Sequence, residues 1–115
     1  MEPPKIKFGL IIRERRKEQR ITQRDFAKQI GVNFTYISKI ENGALEPPSE
    51  AVIQKMAQVL ELDANELCLA AGKISSEYKQ LILQDKIANL FMRKYSSLTE
   101  EQKNRINIIL TENIL

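Results

Sequence analysis

The sequence predicts an all-α fold, with five short helices forming one compact domain over residues 1–72 and an additional C-terminal helical segment over residues 73–115. Three observations predict it. Apolar residues recur at helical spacing, as in Phe26, Ala27 and Ile30, then Ile37 and Ile40, then Val52, Ile53, Met56 and Leu60. Capping residues stand ahead of the periodic runs (Thr22, Asn33, Ser49, Asp63, Thr99), and Gly31, Gly43 and Gly72 stand behind three of them. Length is the third: 115 residues, 43% hydrophobic and 29% charged, suit one globular domain with a modest core and a small appendage.

Pro3 and Pro4 resist helix, so residues 1–5 read as a mobile tail. The first helix follows from about Lys7 to Gln19, with Phe8, Ile11 and Ile12 facing inward and Leu10 beside them. Arg13, Arg15, Arg16, Lys17 and Arg20 crowd its C-terminal half, where cations complement the helix dipole and water takes most of them. Between residues 5 and 28 nine Lys or Arg stand against three acids, a net +6; between 29 and 72 two stand against six, a net −4. A solvated face without a partner mixes both signs, so the basic block points to a polyanion. The acidic block that follows argues against general coating of nucleic acid.

The stretch from Thr22 to Asn42 reads as helix, turn, helix. Thr22 with Asp25 approximates a capping box, Gly31 suits the left-handed residue that ends a helix, and Asn33 caps the next one through its side-chain oxygen. Two helices so joined meet at a steep angle and leave the second projecting, at a width that suits the major groove of B-DNA. Asn33 to Ile40 is therefore the candidate recognition helix. Ile37 and Ile40 face inward with Val32, which leaves Phe34, Thr35, Ser38 and Lys39 as candidate base readers on the outer face. Thr35 suits a base edge or a thymine methyl, and Lys39 suits guanine O6 and N7. Phe34 either packs on thymine methyls or covers the turn. Gln23 opens its helix beside free backbone N–H groups, either facing a phosphate or facing water, and Arg24 and Lys28 flank the same backbone one turn apart. Tyr36 is expected to pack partly inward with its hydroxyl toward a phosphate, and Asn42 to meet another where Asn42-Gly43 closes the helix.

The order Thr22-Gln23, Phe26-Ala27, Ile30-Gly31-Val32 and Tyr36-Ile37-Ser38-Lys39-Ile40-Glu41-Asn42-Gly43 resembles the xenobiotic-response-element helix-turn-helix family, which includes the Cro and lambda-type phage repressors. The resemblance covers roughly residues 8–72. It implies a five-helix lambda-repressor-like domain that binds double-stranded DNA sequence-specifically, as a repressor or controller reading a palindromic operator as a dimer. It also implies that Arg16 pairs with Glu41 as a structural ion pair, and it favours a phosphate contact for Gln23. Glu46, in the loop after the recognition helix, departs from the Lys or Arg of many relatives.

Ser49 opens a fourth helix over about Glu50 to Leu60, and Asp63 with Glu66 boxes a fifth that Gly72 ends. Beyond it, Ser75 and Ser76 open a helix carrying Tyr78, Leu81 and Ile82, a second carries Ile87, Leu90, Phe91 and Tyr95, and Thr99 with Gln102 boxes the last. Leu90, Phe91, Tyr95, Leu98, Ile106, Ile109 and Leu110 exceed what a finished five-helix core requires. They form a homodimer interface, fold back on their own monomer, or bind a partner protein as an antitoxin does; a symmetric operator favours the dimer.

No histidine, Gly-rich phosphate loop or nucleophile elbow is present, so the sequence offers no catalytic constellation, no metal site and no cofactor site. Cys68 is alone and reads as a small core residue. No apolar run is long enough to span a bilayer, and Met1-Glu2-Pro3-Pro4-Lys5 does not begin a signal peptide, which places the expected site of action in the cytoplasm.

Overall fold

Pro4 opens the first helix, α1 (Pro4–Glu18), in the computed structural model of the chain, which describes residues 2–112. The helix therefore starts at Pro4 rather than Lys7 and takes in Pro4 and Lys5 of the tail expected over residues 1–5, leaving Glu2 and Pro3 ahead of it; Met1 lies outside the described residues. The reason is local. Proline in the first helical turn has its φ preset, and its missing N–H is one that no helix satisfies there, so Pro4 starts a helix where an interior proline would break one. Leu10, expected beside the inward face, is 49% exposed, while Phe8 and Ile12 are fully buried and Ile11 is half-buried.

Gly9 decides how close α1 comes to the end of the third helix. A Cβ on Gly9 would fall on the carbonyl oxygen of Ile40 and 3.0 Å from that of Glu41. Only a residue without a side chain lets the two backbones meet at that separation.

The next two helices, α2 (Gln23–Ile30) and α3 (Phe34–Glu41), carry the turn between them. Thr22 Oγ1 accepts from the Asp25 N–H at 3.1 Å, and Asn33 Oδ1 accepts from the Thr35 N–H at 3.0 Å. Between these caps Gly31 sits at φ 84°, the left-handed conformation that ends α2. The domain is completed by α4 (Glu50–Leu60) and α5 (Ala64–Ala70). Ser49 stands at the N-cap of α4, yet its hydroxyl makes no capping bond; Asp63 Oδ1 caps α5 by accepting from the Glu66 N–H at 2.9 Å. Phe8, Ile12, Phe26, Ile37, Ile40, Ile53, Met56 and Leu60 meet in one core, each at 1% exposure or less. Burying each such side chain stabilises the fold by roughly 1.5 to 3 kcal/mol, so the core fixes the α1 and α2 surfaces that carry α3.

The remaining helices are α6 (Ser76–Gln84), α7 (Lys86–Lys94) and α8 (Glu100–Glu112), with a 3-10 turn over Tyr95–Ser97. The described residues are all-helical or irregular, without a strand. The chain forms two compact units, Met1–Tyr78 and Lys79–Leu115. The first thus runs past Gly72, because polar anchors hold the next residues to it: Lys73 Nζ donates to the Pro48 carbonyl at 2.7 Å, Ser75 Oγ donates to Asn65 Oδ1 at 2.6 Å, and Ser76 Oγ donates to Glu50 Oε1 at 2.8 Å. In the second unit Phe91 and Tyr95 pack at 5.6 Å between ring centroids, and Lys103 Nζ lies 4.7 Å from the Tyr95 centroid. Thr99 and Gln102 form a reciprocal capping box at the start of α8, with bonds of 3.1 and 2.9 Å. No residue from 79 to 112 is buried.

Candidate nucleic-acid interface

The outer face of α3 follows from its inner one. With Ile37 and Ile40 at 0% and 1% exposure, the helical period turns Phe34, Thr35 and Lys39 to the surface and leaves Ser38 half-buried at the edge. Thr35 and Lys39 are exposed, and neither side chain has a partner among the described residues. Phe34 is different. The Arg24 guanidinium lies 4.6 Å from its ring centroid, so α2 reaches over the start of α3 and covers one ring face. An exposed cation–π contact of this kind is worth roughly 0.5 to 1 kcal/mol, enough to bias where the Arg24 donors point. Arg24, read from its spacing as a flank to Lys28, is here tied to Phe34; Lys28 is exposed in the last turn of α2.

Beneath this face lies a polar network that ties three helices together. Arg16 Nε donates to Glu41 Oε2 at 2.6 Å, Arg16 Nη2 donates to Glu41 Oε1 at 2.9 Å, and Arg16 Nη1 donates to the Ile21 carbonyl at 2.8 Å. Both side chains are buried, at 10% and 3% exposure. Glu41 Oε1 also accepts from Gln23 Nε2 at 2.9 Å. The spacing of Gln23 offers phosphate or water as its partner, whereas the structure gives it a carboxylate. Gln23 is thereby oriented at the first turn of α2, with one amide N–H used and the other left over.

Other positions take less expected roles. Arg15, read as solvated, donates from Nε to the Leu60 carbonyl at 2.8 Å, and Gln19 Nε2 donates to the same oxygen at 2.9 Å. Together they satisfy an orphan carbonyl at the end of α4. The signal for this was a cation and an amide one turn apart, which on the sequence alone looks no different from a solvated pair. Asn42 is exposed at the end of α3, and its Oδ1 accepts from the Ala44 N–H at 3.0 Å, which leaves the amide N–H groups without a partner among the described residues. Tyr36 is half-buried, and desolvation raises its hydroxyl above the ordinary phenol value, so it stays a neutral donor at physiological pH. Burial, with Glu50 nearby, likewise pushes the Cys68 thiol up. Among the described residues no group of three or more His, Cys, Asp or Glu is placed to hold a metal ion, and no helix is long and apolar enough to cross a membrane.

In the second unit, Leu90, Phe91, Tyr95, Ile109 and Leu110 are 38% to 63% exposed, and Leu98 and Ile106 are half-buried.

Comparison with known proteins places this geometry among others. A helix-turn-helix family model matches residues 12–67. The ImmF control region 10 kDa protein of Bacillus phage phi105 is 35% identical over 71 residues, 62% of this chain and 78% of that protein. The CTXphi transcriptional repressor RstR of Vibrio cholerae is 31% identical over 103 residues, 86% of this chain and 83% of its own length. The chain spans about half the length of two further relatives, regulators of Bacillus subtilis. Among solved structures, the restriction-modification controller protein C.AhdI of Aeromonas hydrophila superposes with a TM-score of 0.51 at 30% identity, covering 55% of this chain and 94% of that one.

Proposed function

Because the chain belongs to the xenobiotic-response-element family of helix-turn-helix, DNA-binding transcriptional regulators, we propose that it acts as a dimeric repressor, reading a two-fold operator in the cytoplasm through α3. One observation carries the reading: Thr35, Ser38 and Lys39 line one polar edge of a helix whose other face is locked into the core. Thr35 and Lys39 read base edges, with Phe34 and Ser38 bordering them. Gln23, Arg24, Lys28, Tyr36 and Asn42 position the duplex through phosphates, which fixes register without specifying sequence. RstR, similar over 86% of this chain, is named a repressor, which supports that direction of regulation here.

Selection of bound fragments from random duplex DNA, followed by footprinting, tests the proposal. The expected result is an inverted repeat with half-sites one helical turn apart, roughly 34 to 36 Å. A single unrepeated site overturns the dimeric reading. Protein that retains no sequence at all, but copurifies with a second polypeptide when its neighbouring genes are coexpressed, points to the antitoxin-like alternative.

A further inference from the structure

Arg24 stands in the first turn of α2 and Phe34 is the first residue of α3, yet the sharp turn at Gly31 folds one onto the other, with the guanidinium carbon 4.6 Å from the ring centroid. Both side chains lie at the surface. A cation held over the face of a ring uses no hydrogen bond for its position, so the five guanidinium donors stay unspent. Arg24 has no hydrogen-bond or ion-pair partner among the described residues, and the nearby Asn33 Oδ1 is taken by the Thr35 N–H at 3.0 Å. The ring keeps 37% of its surface in the open, so Arg24 covers part of it and an apolar edge remains.

A phenylalanine ring offers neither donor nor acceptor, so what it recognises on a base edge is apolar. In the major groove that group is the thymine 5-methyl. The planar arginine fork matches guanine, whose O6 and N7 accept two parallel N–H bonds. Depth brings both edges within reach, because the N-terminal residues of the second helix of a helix-turn-helix contact the bases, and whatever stacks on Phe34 is held at the same level. The separation also fits. Consecutive bases on a strand lie roughly 3.4 Å apart, close to the 4.6 Å between guanidinium and ring, so the two groups address neighbouring base pairs.

We propose that Arg24 and Phe34 form one composite reader of a two-base step, a guanine directly beside a thymine in each half-site: the Arg24 fork donates to guanine O6 and N7 while the Phe34 ring covers the thymine methyl. The proposal rests on α3 lying in the major groove and deepens that reading, since it adds a base contact from α2 and names part of the operator. Two of the five Arg24 N–H groups serve the guanine, which leaves the others for the backbone. The ring also sets the choice of cation. A planar guanidinium stacks on it and keeps its fork aimed, whereas an ammonium would be a point charge without direction.

The test uses the full chain and the operator it selects from random duplex DNA. Arg24→Lys keeps the charge and loses the fork, so it should keep the wild-type dependence of affinity on salt and lose the preference for guanine at one position per half-site. Phe34→Ala should lose the preference for the adjoining thymine and weaken that for the guanine. Thermal melts check that both variants fold. Base analogues put the same question to the unaltered protein: 7-deazaguanine at that guanine removes the N7 acceptor and should lower affinity about fivefold or more. Uracil at the thymine removes only the methyl and should lower it about fourfold, the worth of one buried methyl group. Arg24→Lys should be indifferent to the first analogue and Phe34→Ala to the second. A selected operator with no guanine beside a thymine, an Arg24→Lys variant that keeps every base preference, or 7-deazaguanine tolerated at every guanine overturns the composite reader while α3 remains a base reader. A wild type that selects no sequence overturns both.

Discussion

Arg16 and Glu41, on the first and third helices, meet through two parallel hydrogen bonds of 2.6 and 2.9 Å in a buried site. Glu41→Ala strands the guanidinium, and breaking one member of a buried pair costs roughly 3 to 5 kcal/mol. The variant should therefore show a marked fall in its unfolding midpoint, and while folded it should still bind DNA, weakened no further than by Gln23→Ala because Glu41 also holds Gln23. Denaturant titration beside binding at low temperature checks the order of events. Wild-type stability with no DNA binding would replace the scaffold role by a direct contact.

Gly9→Ala should destabilise, although an interior helical glycine replaced by alanine ordinarily stabilises by about 0.5 to 1 kcal/mol. The new methyl would meet the Ile40 carbonyl oxygen and lie 3.0 Å from that of Glu41, both on backbone that cannot turn aside as a side chain can. Overpacking of this kind costs typically about 1 to 3 kcal/mol and moves α1 off α3. A melting point above that of the wild type would show that the two helices separate at no cost.

Sequence choice and general affinity should divide between helices. Lys39→Ala and Thr35→Ala are each expected to cost roughly 1 to 3 kcal/mol and to relax preference at one or two positions per half-site, whereas Gln23→Ala weakens all sequences alike. Phe34→Leu removes the ring that lies 4.6 Å from the Arg24 guanidinium and should lower affinity through Arg24 as well. Combined with Arg24→Ala it should then cost less than the sum of the two changes. Competition against single-base operator variants measures the five single variants and the double one; intact base preferences in Lys39→Ala would refute the assignment of α3.

The helices were legible because their signals are local. Apolar spacing and the caps Thr22, Asn33, Asp63 and Thr99 mark α2, α3, α5 and α8 without reference to any distant residue. What escaped depends on neighbours remote in sequence. Gly9 looks like an ordinary weak point in a helix until Ile40 is laid against it, and Arg15 looks solvated until the Leu60 carbonyl arrives. The Gln23–Glu41 bond joins residues 18 apart, and no spacing rule announces it. The Arg16–Glu41 pair was accessible through family resemblance, whereas the basic block alone does not separate Arg16 from Arg13. Pro4 misled for a different reason, since one residue type breaks a helix inside and starts it at the end.

Residues 79–112 should make the active form a dimer. None of them is buried, although the stretch carries Leu90, Phe91, Tyr95, Ile109 and Leu110 at 38% to 63% exposure. At about 25 cal/mol per Å² of apolar area, covering a few such side chains is worth several kcal/mol, which offsets part of the cost of association. The informative truncation ends at Tyr78 rather than Gly72, because Lys73, Ser75 and Ser76 bond Pro48, Asn65 and Glu50 of the first unit, and cutting ahead of them would confuse lost dimerisation with lost folding. Residues 1–78 should remain a folded monomer and bind single half-sites weakly, since two linked half-sites gain affinity through an effective concentration that a monomer cannot use. Leu90→Glu with Phe91→Glu should reproduce this in the full-length chain by placing like charges in the interface. Sedimentation of the three proteins, with gel shifts on whole and half operators, checks both steps. A full-length protein that stays monomeric at high concentration, with DNA affinity unchanged by either alteration, would make residues 79–115 a surface for another protein.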